Sequence, residues 1–345
     1  MPTISFDYLI IGQGLAGSIL AHTLITQGYR VMVIDNQHDS ASSKVAAGII
    51  NPITGPRLTN NEDFEQYFAT AKSYYAKLEY HIKKNVFHKV EQIRQIQDIS
   101  QYDFLKKRLN DNRYKQWLSL GNDQQALRFK ENGFPTISIH GTAIINTDEL
   151  LKASKRWLSS LDSYRESKFH YSELISNDGG VDYQGIHARQ IIFCEGFQAI
   201  HNPWLKHLPF KLAKGEILTM ANENNMPMMS WDKWLVPLGE TVKLGSNFAW
   251  DDVNLTPSES IKQALLDSLH NHTQFSADII SHQTGIRPST RQREPFVGKL
   301  SNLDNAYCFN GFGSKGCLLV PHYADLLSQH LLQQTSLPTK VTKWL

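Results

Sequence analysis

Apolar residues along this chain follow two rhythms, and the alternation between them predicts its elements. "FDYLIIG" (residues 6–12) is a short apolar run closed by glycine, the pattern of a buried parallel strand. "LAGSILAHTLITQG" (15–28) spaces its apolar residues for a helix and stops at glycine. "YRVMVID" (29–35) is a second strand, which completes a βαβ unit. Residues 62–130, rich in Gln, Lys, Tyr and Leu, read mostly as helix with a break near 85–86. "GTAIINTDELLKASKRWLSSL" predicts a short strand and then an amphipathic helix, with Thr147 as N-cap and Asp148 and Glu149 in its first turn.

"QIIFCEG" (190–196) is another apolar strand ending in glycine, after a hairpin near 177–180. From 210 to 250 the chain is β-rich, with "KGEILTM", "KWLVPLG" and "TVKLGSNFAW" as short strands. Residues 257–270 read as helix, "GIRPSTRQREPFVG" as an extended segment, and residues 305–332 as strand, Gly-rich loop and helix. There is no internal repeat. Nucleotide-binding pieces at both ends and in the middle, with insertions between them, predict a discontinuous α/β architecture. One unit takes residues 1–75, 140–207 and 275–345; the other takes 76–139 and 208–274.

Composition narrows the classes. With 41% hydrophobic and 20% charged residues, the chain reads as globular rather than disordered. A net charge of +2 gives no argument for nucleic acid. Residues 81–115 are locally basic against four acids, read here as a solvated helical face. Three scattered cysteines suit neither a disulfide framework nor a metal site, and the fourteen histidines show no metal spacing. No run approaches the ~18 apolar residues of a membrane span. The early first strand leaves no room for a signal peptide, so a cytoplasmic protein with reduced thiols is expected.

The candidate chemistry begins with "GQGLAG", which sits between the first strand and the first helix. Gly12 makes the tight turn, Gly14 lets a pyrophosphate approach the backbone, and Gly17 allows close helix–strand packing. Asp35 ends the second strand, where it would accept hydrogen bonds from a ribose diol and repel a 2′-phosphate. This fingerprint does not separate NAD from FAD. "SSKVAAGIINPITGPRL" (42–58) adds a backbone stripped of bulk, as a large planar ring would require.

The ordered set "GQGLAG", "AAGIINP", "KGEIL", "GIRPST" and "GFGSKG" resembles the D-amino-acid-oxidase-like FAD oxidoreductase superfamily, which includes glycine oxidase and sarcosine oxidase. In detail it is similar to the flavin-oxidase half of the bifunctional enzymes that mature the wobble uridine of tRNA. The resemblance implies a glutathione-reductase-like, Rossmann-type FAD-binding domain and a discontinuous α+β substrate domain built on an antiparallel sheet. It implies that Gly12, Gly14, Leu15, Ala16 and Gly17 hold the pyrophosphate, and that Asp35 and Asn36 hold the adenosine ribose. Ser42 and Ser43 would lie near the phosphates, and Ala46, Ala47, Gly48 and Ile49 along the flavin. Gly196 is carried over from the apolar strand, where Glu195 departs from the family's small residue. Gly311, Gly313, Ser314, Lys315, Gly316 and Cys317 form the loop and helix start that would face the ring.

For catalysis the resemblance implies Arg287 as the carboxylate-binding residue, matching the bidentate fork that a carboxylate calls for. Lys315 and Ser314 are candidates for a second anchor or for polarising the flavin. Tyr307, Trp231, Trp234 and Trp250 read first as core and second as cavity lining. Arg291 and Arg293 read as surface residues. The expected activity is FAD-dependent oxidation of the C–N bond of a glycine-like or D-amino acid, a small-molecule amine substrate. Removal of an N-carboxymethyl group from a modified tRNA uridine is the alternative. A flavin-binding protein without turnover and an NAD-linked enzyme are readings from other classes.

Overall fold

The structure, a computed structural model, describes residues 4–37, 41–222, 226–333 and 335–345. Two sheets organise it. In the first, five parallel strands run in the order Tyr164–Glu166, Val31–Asp35, Ile4–Ile11, Ile186–Phe193, Ala306–Asn310. Antiparallel strands Gly180–Tyr183, Ile175–Asn177 and Phe296–Lys299 extend it. The expected hairpin is present, with Asn177 opposite Gly180. The central strand is covered on both faces: Tyr8 and Ile10 join one apolar cluster, Leu9 and Ile11 the other. That is why its sequence is a continuous apolar run rather than an alternating one.

Helix Leu15–Thr26 leaves the first strand through Gly12, whose φ of +103° turns the chain. Ile19, Leu20 and Leu24 on it are wholly buried, each stabilising the fold by about 1.5–3 kcal/mol. The helix packs against Gly316–Leu331, so the N-termini of both helices meet at one end of the sheet.

The second sheet has nine strands over the described residues, antiparallel except where Met229–Ser230 runs parallel to Phe87–Gln95. Its order is Ile279–Arg287, Ala213–Ala221, Thr241–Gly245, Trp234–Leu238, Met229–Ser230, Phe87–Gln95, Thr136–Ile145, Ile49–Ile50, with Leu118–Leu120 on Thr136–Ile145. Three of these strands, Ile49–Ile50, Thr136–Ile145 and Ile279–Arg287, come wholly or partly from stretches that the sequence reading gives to the first unit. The chain therefore passes between the sheets more often than its composition shows.

Residues 62–130 depart from the helical expectation. Helix Phe64–Ile82 ends at Lys83, which adopts φ 54°. The Glu79 carboxylate then accepts from the backbone N–H groups of Val86 (2.6 Å) and Phe87 (2.8 Å), steering the chain into strand Phe87–Gln95. Pairing with Thr136–Ile145 overrides the low β-propensity of its charged and Gln residues. The next helix, Thr147–Ser160, is capped by Asn146 rather than Thr147: the Asn146 side chain accepts from Glu149 N–H at 3.2 Å. No helix among the described residues is long and apolar enough to cross a membrane.

Candidate active site

The meeting point of the two sheets encloses a cavity of about 830 Å³. One end is built by the glycine fingerprint. A Cβ on Gly12 would lie 2.6 Å from the Cys194 carbonyl oxygen, and one on Gly17 would overlap the Gly12 carbonyl, so both positions require glycine. The Asp35 carboxylate is held by the N–H groups of Gln13 (2.8 Å) and Gln37 (2.6 Å) and lines the cavity beside Asn36. Leu15 N–H donates to Ser43 Oγ at 3.1 Å, tying the turn Ser42–Val45 to the first helix.

The middle of the cavity is lined by Ala46, Ala47, Gly48 and Ile49. Gly48 has φ +70°, and a Cβ there would overlap the Ile145 carbonyl. This wall is closed by a residue that sequence reasoning missed. Lys243, buried on strand Thr241–Gly245, donates to the carbonyls of Val45 (2.9 Å) and Ala46 (2.8 Å). Burial pushes its ammonium down to about 8. The sequence hid it: Lys243 falls on the face opposite Val242 and Leu244, which alternation assigns to solvent, yet that face is buried as well. Opposite, Gly313, Ser314, Gly316 and Cys317 line the cavity where Gly316–Leu331 begins. Two helix N-termini and bulk-free backbone suit an anionic dinucleotide with a planar ring, so the residues present fit FAD.

The far end carries Arg287. Its guanidinium lies across Gly215, where any Cβ would collide with it, and 4.1 Å from the Phe248 ring centroid. Nη2 donates to Ser246 Oγ at 2.8 Å, while Nη1 is buried without a hydrogen-bond partner. Burial lowers its pKa to about 10, and among the described residues no acid is paired with it. A half-buried cation with an unsatisfied guanidinium N–H is completed by an anion, and a carboxylate matches the fork. Trp234 also lines this end, and a Cβ on Gly245 would reach its ring at 2.7 Å.

Glu195 lines the cavity beside the fingerprint. Its carboxylate accepts from Tyr171 OH (2.5 Å) and Asn202 Nδ2 (2.7 Å), and burial pushes it up to about 7. Gly196 follows it on the cavity wall.

The structure thus brings Gly12, Gly14, Leu15, Ala16, Asp35, Asn36, Ser42, Ser43, Ala46 to Ile49, Gly196, Arg287, Gly313, Ser314, Gly316 and Cys317 around one cavity. Gly17 and Gly311 stand behind its wall: a Cβ on Gly311 would press on Thr290 Cγ2 at 2.8 Å. Lys315 is exposed and lies outside the lining, unlike its neighbour Ser314. Tyr307 and Trp231 are buried in apolar clusters, Trp250 is exposed, and Arg291 and Arg293 lie on the surface. Asn51 accepts from Ile53 N–H (2.7 Å) and pairs with Gln92, leading into a hairpin that leaves Arg57 exposed.

The family model described as "FAD dependent oxidoreductase" matches residues 7–330. The chain is 24% identical to the uncharacterized oxidoreductase YurR of Bacillus subtilis, over 96% of each. It is 23% identical to the tRNA 5-methylaminomethyl-2-thiouridine biosynthesis bifunctional protein MnmC of Leptospira interrogans, covering 90% of this chain but only 55% of that protein. Glycine oxidase from Geobacillus kaustophilus shares the fold, with a TM-score of 0.81 at 17% identity over 97% of this chain and 96% of that one. Iminodiacetate oxidase from Chelativorans sp. BNC1 superposes with a TM-score of 0.75 at 20% identity, over 97% and 98%.

Proposed function

The chain belongs to the FAD dependent oxidoreductase family, and on that premise we propose that it oxidises the C–N bond of a carboxylate-bearing amine, glycine-like or a D-amino acid. The observation that carries this reading is the buried, unpartnered Nη1 of Arg287 at the end of the cavity. FAD, when bound, supplies the two-electron acceptor that takes hydride from the substrate α-carbon.

The chain's own residues orient and shield. Arg287 pairs with the carboxylate, and Ser246 with the Phe248 face fixes the guanidinium so that little reorganisation is needed on binding. Gly215 gives the guanidinium its place. Lys243 holds the carbonyls of Val45 and Ala46, and with them the position of the cofactor-side wall. Trp234 and Phe248 line the substrate end with apolar surface.

Anaerobic mixing with glycine, sarcosine, D-alanine and D-proline tests the reading. Loss of the flavin absorbance with at least one of them is expected; an unbleached flavin with every one counts against it and favours a flavin-binding role without turnover. A second reading draws support from the tRNA-modifying relatives, whose match spans 90% of this chain. There the same Arg287 would grip an N-carboxymethyl group on a uridine. Against it, the basic stretch 81–115 is partly neutralised: Lys106 pairs with Asp103, Arg113 with Asp111, and Arg94 is buried. Salt-sensitive tRNA retention on filters would support that second reading.

A further inference from the structure

We propose that Phe248 and Trp250 form an apolar shelf at the cavity mouth that selects substrates whose carboxylate carries an apolar group over glycine itself. The inference rests on the reading that Arg287 holds the carboxylate.

The shelf adjoins the anchor. The Arg287 guanidinium carbon lies 4.1 Å from the Phe248 ring centroid, so a carboxylate paired with Arg287 brings the rest of the substrate beside that ring. Phe248 lines the cavity; Trp250 stands next to it outside, with ring centroids 6.2 Å apart and planes 26° from parallel. The pair runs outward from the anchor to the surface. Phe248 is 55% exposed and Trp250 44% exposed, although both are large apolar side chains. The Lys211 ammonium lies over Trp250, 4.5 Å from its ring centroid.

This exposure is built in rather than the mark of a loose loop. Lys214 and Ala249 exchange backbone hydrogen bonds of 2.9 and 3.0 Å, and Glu216 N–H donates to the Asn247 side chain at 2.7 Å. Behind the sheet, the buried Lys214 ammonium donates to Asn254 Oδ1 (3.0 Å) and the Thr256 carbonyl (2.7 Å). The buried Glu216 carboxylate, 3.3 Å from that ammonium, accepts from Ser258 N–H at 2.7 Å. Residues 247–258 are thereby clasped at both ends, which fixes the backbone that presents the two rings. Apolar surface held in water is unfavourable in proportion to its area. Glycine has no group to cover it, whereas an N-alkyl group or a side chain does.

Titration of the FAD-loaded protein with acetate, propionate, valerate, hexanoate and phenylacetate, followed by the change in flavin absorbance, tests the shelf without depending on turnover. Affinity is expected to rise roughly fourfold per covered methylene, the equivalent of about 0.8 kcal/mol. Phe248→Leu and Trp250→Ala are each expected to flatten the series. A series that binds but is flat in the wild type overturns the shelf and leaves the role of Arg287 standing. A steep series that survives in both variants also overturns it, by placing the apolar subsite elsewhere. If no carboxylate binds, or all bind equally well to Arg287→Ala, the Arg287 reading fails and the shelf fails with it.

Discussion

The Lys243 ammonium reaches across the sheet to the carbonyl oxygen of Ala46, 2.8 Å away and 197 positions earlier in the chain. It holds Val45 by the same atom, at 2.9 Å. A buried cation thus fixes the backbone where side chains are too small to lock the wall by packing.

Lys243→Met leaves the Val45 carbonyl without this donor, at about 1–3 kcal/mol, and the Ala46 carbonyl with only Thr147 Oγ1 at 3.3 Å. FAD is expected to bind at least about tenfold more weakly, read by flavin fluorescence on titration. A pH signature accompanies it. Burial holds folded Lys243 down to about 8, against 10.5 for an ordinary lysine. Between those values the folded state binds fewer protons than the unfolded one, so this residue's contribution to stability rises with pH. The Tm difference between wild type and Lys243→Met should therefore move in favour of wild type from pH 8 to 10.5.

Glu195 works with the opposite sign. Burial pushes it up to about 7 from the ordinary 4.5 of a glutamate, so its contribution is fully present below 4.5 and is lost as pH rises through 7. Glu195→Gln cannot ionise and should gain on the wild type over that interval, by up to about 3 kcal/mol. Urea unfolding at pH 5 and pH 8 checks this; an equal difference at the two pH values contradicts it.

Gly215→Ala places a methyl group on the Arg287 guanidinium. The expected result is a loss of kcat/KM for carboxylate substrates of about tenfold or more, with FAD still bound, since Gly215 lies at the substrate end. Steady-state kinetics beside a flavin occupancy measurement separates the two effects.

Gly48→Ala meets both a left-handed backbone, φ +70°, and the Ile145 carbonyl. Strain and collision together should cost more than about 1 kcal/mol, lowering Tm and FAD occupancy together. A variant with wild-type occupancy and Tm would show that this wall yields easily.

Much of this was legible from residues alone where the pattern is local. The first strand, its glycine turn and the helix after it carry their signals within 30 residues, and Arg287 stands in a short motif. What stayed hidden depends on distant partners. Strand Phe87–Gln95 has helix-like composition, and only pairing with Thr136–Ile145 makes it a strand. Glu195 was visible as a departure from the family's small residue, but not its partners Tyr171 and Asn202. Lys315 shares a motif with Ser314, yet the turn Gly313–Lys315 leaves it on the outside of the cavity wall.

The central claim is that Arg287 reads a carboxylate, and one ratio tests it most directly. For whichever amino acid reduces the flavin, the rate of reduction is measured against that of its own amide, in wild type and in Arg287→Ala. A charge-assisted pair of this kind contributes about 1.5–3 kcal/mol, so the wild type should prefer the acid by roughly ten- to hundredfold. In Arg287→Ala the preference should fall close to one with FAD retained. A preference that persists unchanged in the variant would contradict the assignment.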